Sequence, residues 1–196
     1  MESRKDNRKQ IIVGITGATG VIYGIRALET LKKLGIETHL VISNAGKRTI
    51  ELETSYSIES VLTLADQVHD IANIGASISS GSFKIDGMII APCSIKSLSA
   101  IANSYNDNLL IRAADVALKE SRRLVMVVRE TPLHIGHLRL LTQASEMGAV
   151  ILPPMPAYYH LPQTVDDIIN QTVGKVLDQF GLGHNLFTRW EGDKKI

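Results

Sequence analysis

A single cysteine, Cys93, leaves this chain without an internal disulfide or a multi-cysteine zinc or iron–sulfur site. Excess charge is missing too, because 21 Lys and Arg balance 20 Asp and Glu for a net charge of +1. That balance offers no pull toward nucleic acid or an anionic membrane. No apolar run approaches the roughly 20 residues that cross a bilayer. The opening MESRKDNRKQ is charged and lacks the apolar stretch of a secretory signal, so a cytoplasmic protein is expected. Aromatics make up only 5%, so the core must be aliphatic. For a chain of 196 residues one domain is expected over residues 11–196, after a disordered charged tail over residues 1–10.

What the chain does have is alternation. Ile11-Ile12-Val13-Gly14-Ile15-Thr16 is apolar and β-branched without a polar face, the pattern of a strand buried on both sides. Gly17 to Gly20 breaks it, and an amphipathic helix follows over 21–33, closed by Leu34-Gly35. Further strands are predicted at 38–42, at 88–91 (stopped by Pro92), at 124–128 and at 149–152. Helices are predicted at 45–53, 57–65, from near Ile95, 111–120, 135–147 and 165–180, the last N-capped by Thr164. Such alternation predicts an α/β doubly wound, flavodoxin-like or Rossmann-like parallel sheet with helices on both faces. The run from Pro153 to Pro162 is too proline-rich for regular structure, and a loop of that kind often lies over a site.

Two loops carry candidate chemistry. Gly14-x-x-Gly17-x-x-Gly20 joins the first strand to the first helix, where tight turns and free N–H groups favour a phosphate. Its spacing is neither G-x-G-x-x-G nor a P-loop, and the second strand ends in Ser43-Asn44 rather than in a ribose-binding acid. NAD is therefore disfavoured. Pro92-Cys93-Ser94-Ile95-Lys96-Ser97 follows another buried strand and supplies hydroxyls, a lysine and N–H groups for an anion. Two such loops suit a mononucleotide such as FMN. Cys93 itself reads as a small buried residue at a strand end. His134 and His137, spaced i, i+3 near Glu130, lack an evident third ligand, so no metal is expected.

Six ordered motifs then carry a resemblance: Ile12 to Gly20, Ser79-Ser-Gly-Ser-Phe83, Pro92-Cys-Ser-Ile-Lys96, Arg112 to Glu120, Val128 to Leu133, and Pro153 to His160. From about residue 11 to Trp190 the chain resembles the flavin prenyltransferase family. The resemblance implies transfer of a dimethylallyl group from dimethylallyl monophosphate to reduced FMN, without a metal. The prenylated flavin would serve a separate aromatic-acid decarboxylase, and the enzyme would be a homo-oligomer, a dodecamer, with active sites shared between subunits. It implies that Gly17, Ala18, Thr19, Ser43, Ser94, Ile95, Lys96 and Ser97 hold FMN, that Ser80 and Ser82 lie beside the flavin, and that Arg129 contacts flavin or phosphate. Tyr159 and Lys175 resemble the pair gripping the substrate phosphate, while Arg112 and Lys119 match positions bringing further positive charge. Glu130 and Glu53 match the carboxylates that move protons. Thr19 stands where Ser is frequent and Asn44 where Lys is frequent.

The sequence also admits two other readings. FMN-dependent peptidyl-cysteine decarboxylases place a His early in the chain and an Asn in the phosphate loop. Here the first His is His39, inside a predicted strand, and residues 94–97 hold no Asn. A non-catalytic flavin-binding accessory subunit would have no use for Glu130, Lys119, Tyr159 and Lys175 together.

Overall fold

The structure is a computed structural model that describes residues 8–190 and 192. Six parallel strands form one sheet: β1 (Gln10–Ile15), β2 (Glu37–Ile42), β3 (Gln67–His69), β4 (Gly87–Cys93), β5 (Arg123–Val128) and β6 (Val150–Ile151). Their order is β3-β2-β1-β4-β5-β6, so strand order reverses between β1 and β4. Ligands of such sheets bind outside the carboxyl ends of the strands at that point. The first seven residues of the expected tail lie outside the described residues. Gln10 already opens β1, and Lys9 Nζ donates to the Phe180 carbonyl at 3.2 Å.

Apolar strands without alternation find partners on both sides. On one face Ile12, Val41, Met88, Ile90, Leu124 and Met126 pack with α4 (Ile95–Ala102), α5 (Leu109–Lys119) and α6 (Ile135–Glu146). On the other, Ile11, Val13, Ile15, Leu40, Ile89 and Val127 pack with α1 (Val21–Lys33) and α7 (Val165–Asp178). Each such side chain contributes about 1.5–3 kcal/mol when fully buried. Two further helices, α2 (Asn44–Glu53) and α3 (Ile58–Leu62), connect β2 to β3. Helix α1 ends as expected: Ile36 N–H reaches the Leu31 carbonyl and Gly35 N–H reaches Lys32, with Gly35 at φ +68. Thr164 caps α7 in a reciprocal box with Asp167.

Most elements differ from expectation by one or two residues at an end, and four of the differences have a bearing here. Strand β4 passes through Pro92 to Cys93, because the register shifts between Ile90 and Cys93 and the proline needs no ladder partner there. Helix α5 begins at Leu109, two residues early, since the Asn108 side chain accepts from Ile111 N–H at 3.1 Å and caps it. Helix α3 is shorter than the expected 57–65 and α7 stops at Asp178 rather than 180. Strand β3 and a 3-10 turn at Ser77–Ser79 were not expected.

Candidate functional site

Three loops meet at the switch point and are tied together by backbone and hydroxyl groups. Thr16, just past β1, donates through Oγ1 to the Pro92 carbonyl at 2.7 Å and accepts from Ser94 N–H at 2.8 Å. Ser43 N–H, just past β2, donates to the Ile15 carbonyl at 3.0 Å. The loops surround a cleft of about 480 Å³ whose lining includes Gly17, Ser43, Ser94, Lys96 and Ser97. Short polar side chains cap two of the helices these loops open, Ser43 accepting from Gly46 N–H and Ser94 from Ser97 N–H, and Asn108, which also lines the cleft, caps α5 by accepting from Ile111 N–H. Three helix N-termini therefore aim partial positive charge into one cleft.

Glycine is required at the first loop. A Cβ on Gly17 would overlap the Ala45 Cβ, so only glycine lets the loop lie against the start of α2. Ala18 and the exposed Thr19 follow it, and Gly20, at φ +94, donates its N–H to Glu53 Oε2 at 2.8 Å. Glu53, at the end of α2, thus closes back over the loop that begins at Gly17. Ile95 and Lys96 form the first turn of α4. Arg129 and Glu130 follow β5 at the same sheet edge: Arg129 N–H donates to the Cys93 carbonyl at 3.1 Å, and exposed Glu130 accepts from Thr131 N–H at 3.0 Å. Arg112 lies in the first turn of α5, paired with Asp115 at 2.9 Å. These residues are brought together by one sheet edge.

Lys119, Ser80 and Ser82 are not. Lys119 ends α5, 10 residues on from its start beside the cleft, which at 1.5 Å per residue is about 15 Å away. There it pairs with Glu120, and Gly81 lies against both side chains. That pairing holds the Glu120 carboxyl below its usual range. Arg122 fixes the neighbouring loop through the Gly81 and Phe83 carbonyls, both at 2.7 Å, and the Ser80 and Ser82 hydroxyls share a 2.8 Å hydrogen bond.

Tyr159 and Lys175 form a third group, on α7 and the proline-rich loop beside it. Gln171, one turn before Lys175, donates to Tyr159 Oη at 3.5 Å, and the Tyr159 and Trp190 rings meet edge to face at 6.2 Å. Lys175 Nζ is 3.7 Å from Asp178 Oδ2. Sequence reasoning missed Asn44, Ala45, Ala72, Asp107, Asn108 and Ile111, which also line the cleft. Of these, Asn108 was detectable: a short amide just before an apolar helical run is an N-cap signal.

The remaining candidates are structural in their contacts. Burial pushes the Cys93 thiol well up, so it is no ready nucleophile. His134 caps α6, its Nδ1 accepting from Gly136 N–H at 3.0 Å, and its ring lies 3.6 Å from that of His137. Among the described residues no three His, Cys, Asp or Glu side chains gather as a metal site.

Comparison with known proteins follows this geometry. A family model described as Flavoprotein matches residues 1–177. The chain is 66% identical to the flavin prenyltransferase UbiX of Thauera aromatica over 186 residues, covering 95% of this chain and 96% of that one. It is similar to a crystal structure of AnUbiX in complex with FMN and dimethylallyl pyrophosphate, with TM-score 0.94 and 49% identity over 95% of this chain and 99% of the other. It is also similar to a dodecameric FMN-dependent UbiX-like decarboxylase from Escherichia coli O157:H7, with TM-score 0.92 and 53% identity over 93% of this chain and 100% of the other.

Proposed function

The chain belongs to the flavin prenyltransferases within the flavoprotein family, and from that premise we propose that it transfers a dimethylallyl group from dimethylallyl monophosphate to reduced FMN. The observation that carries the cofactor half is the cleft of about 480 Å³, with three capped helix N-termini and a glycine loop where a Cβ would collide. Its donors are hydroxyls, N–H groups and Lys96, which suit a phosphate monoester, and ligand clefts typically span about 300–1,000 Å³. Residues 11–196 act in this reading as one FMN-binding domain, working in the cytoplasm. No helix among the described residues is long and apolar enough to cross a membrane.

Reduced FMN, when bound, supplies the nucleophile. Gly17, Ala18, Thr19, Ser43 and the run Ser94, Ile95, Lys96 and Ser97 hold its phosphate end, and Arg129 reaches the flavin or the substrate phosphate. Breaking the allylic C–O bond places negative charge on the leaving phosphate, so fixed cations and donors there lower the barrier. Tyr159 and Lys175 take that role, with Arg112 and Lys119 adding positive charge. Glu130 and Glu53 accept and return protons in this reading, each a carboxylate held by a backbone N–H of a neighbouring loop. Because Lys119, Ser80 and Ser82 stand at the opposite sheet edge, they serve the flavin of a neighbouring copy in a dodecamer. Enclosure between copies would keep water from an allyl cation.

The donor is the monophosphate in this reading, because no Asp-rich diphosphate motif is present and the basic groups suffice without a metal. The product would supply a separate aromatic-acid decarboxylase. Inorganic phosphate release gives the test. It should appear only when reduced FMN and dimethylallyl monophosphate are both present. Release at the same rate without FMN would mean a simple phosphatase and end the proposal.

A further inference from the structure

The C-terminal segment is seated on α7 by residues that do not line the cleft. A Cβ on Gly174 would lie 2.5 Å from the Phe187 ring and 2.6 Å from the His184 ring, so glycine there lets the segment lie flat on the helix. His184, almost fully buried, donates from Nε2 to the Gly174 carbonyl at 2.9 Å and to Asp178 Oδ1 at 3.1 Å. Its Nδ1 accepts from Leu186 N–H at 3.3 Å, so both ring nitrogens are committed. Arg189 then engages both oxygens of Asp178, Nη1 to Oδ2 at 3.0 Å and Nη2 to Oδ1 at 2.6 Å. Lys175 approaches the same carboxylate only to 3.7 Å. Asp178 is thus one anion between two cations, and the planar fork of Arg189 has the better geometry. The next residue, Trp190, stands edge-on against Tyr159.

We propose that Arg189 is a positioning residue for the substrate phosphate: by occupying both oxygens of Asp178 it keeps Lys175 available to the allylic phosphate and holds Trp190 against Tyr159. This rests on the reading of Tyr159 and Lys175 as the phosphate grip. Lys175 and Arg189 together carry two positive charges against the one negative charge of Asp178, so the cluster keeps a net positive charge for an incoming phosphate. Without Arg189, Asp178 is left to pair with Lys175 alone, at closer range than the present 3.7 Å, and competes with the substrate.

The test is calorimetric titration of the FMN-loaded protein with inorganic phosphate, alongside KM and kcat for dimethylallyl monophosphate. Arg189→Ala should weaken phosphate binding about twofold to fivefold, the range of a partly exposed charge contact. KM should rise by a similar factor while FMN stays bound. Adding Asp178→Asn to Arg189→Ala removes the competing anion and should restore most of the affinity. Parent affinity in Arg189→Ala overturns the inference, and so does a loss that Asp178→Asn fails to restore. Should Arg189→Ala fail to hold FMN, Arg189→Lys decides by the same comparison, since it keeps the charge and gives up the fork. Lys175→Ala, run in parallel, separates the two readings: no loss there removes the phosphate grip itself, whereas a loss there with none in Arg189→Ala removes only the role of Arg189. Trp190, the sole tryptophan, gives an independent readout. Its emission should shift in Arg189→Ala and stay at the parent value in Lys175→Ala.

Discussion

Glu130 and Gly17 mark the two kinds of residue in the site. Glu130 is exposed and held only by Thr131 N–H, a contact that a glutamine oxygen can keep. Glu130→Gln should therefore bind FMN like the parent while adduct formation slows about 100-fold or more, the usual worth of a positioned acid or base. An unchanged single-turnover rate would make Glu130 structural and leave the proton to Glu53. Gly17 acts through space rather than chemistry: Gly17→Ala must push the loop away from Ala45, at a cost of about 1–3 kcal/mol. Thermal unfolding and FMN titration should show a lowered melting point and weaker FMN binding together; parent values for both would mean the loop tolerates a methyl group. Both residues were readable, Gly17 from the glycine spacing after a buried strand and Glu130 from its motif. Ala45 and Ala72 were not, because nothing in a small apolar side chain announces which cleft it will line.

Among the elements, β3 escaped notice because it is short and polar: Gln67 and Val68 are exposed, and its pairing with β2 replaces a hydrophobic pattern. Side chains support that pairing, since His39 Nδ1 and His69 Nε2 lie 3.0 Å apart and can share only one hydrogen, while Phe83 packs edge-on against His39. Burial lowers the His39 pKa from 6.5 to about 4, the positive potential of His69 adding to it and Asp66 opposing it. Glu37 Oε1 also lies 3.6 Å from His39 Nε2. The unfolded chain takes up this proton near pH 6.5 and the folded one only near 4. Stability is therefore complete above pH 6.5 and is lost as pH falls toward 4, by up to about 3 kcal/mol. Protection factors of the β2 and β3 amides, which correct exchange rates for their intrinsic pH dependence, should fall between pH 6.5 and 4.5 in the parent, and His39→Phe should flatten that dependence. Equal pH dependence in both would place the acid sensitivity elsewhere. By contrast β1, β4 and β5 were readable with few errors, since strands buried on both faces advertise themselves as apolar runs. Pro92 misled only the end of β4, where a register shift accommodates it.

For the whole molecule, the separation of Lys119, Ser80 and Ser82 from the cleft is the feature that no sequence pattern could reveal. Motif order says which residues belong to a site; it does not say whether one chain or two supply them. Exposed Leu52, Ile135, Met155, Tyr158 and Val165, each more than 60% accessible, offer apolar surface for contact between copies. If sites are shared, co-assembling Lys119→Ala and Glu130→Gln subunits in equal amounts should return about a quarter of the parent activity, because that fraction of sites receives both intact residues from different chains. Activity no higher than that of the separate variants would place Lys119 and Glu130 in one chain. Identity of 66% to a flavin prenyltransferase along nearly the whole chain sets aside both the cysteine-decarboxylase and accessory-subunit readings, but the chemistry itself is best read on the flavin. The decisive measurement is the mass and absorbance of the flavin recovered after incubating the protein with reduced FMN and dimethylallyl monophosphate. A flavin heavier by one C5H8 unit, with an absorbance distinct from FMN and formed only when the donor is present, is the expected result. Recovery of unmodified FMN, with the donor intact and the protein shown to bind both, would contradict it.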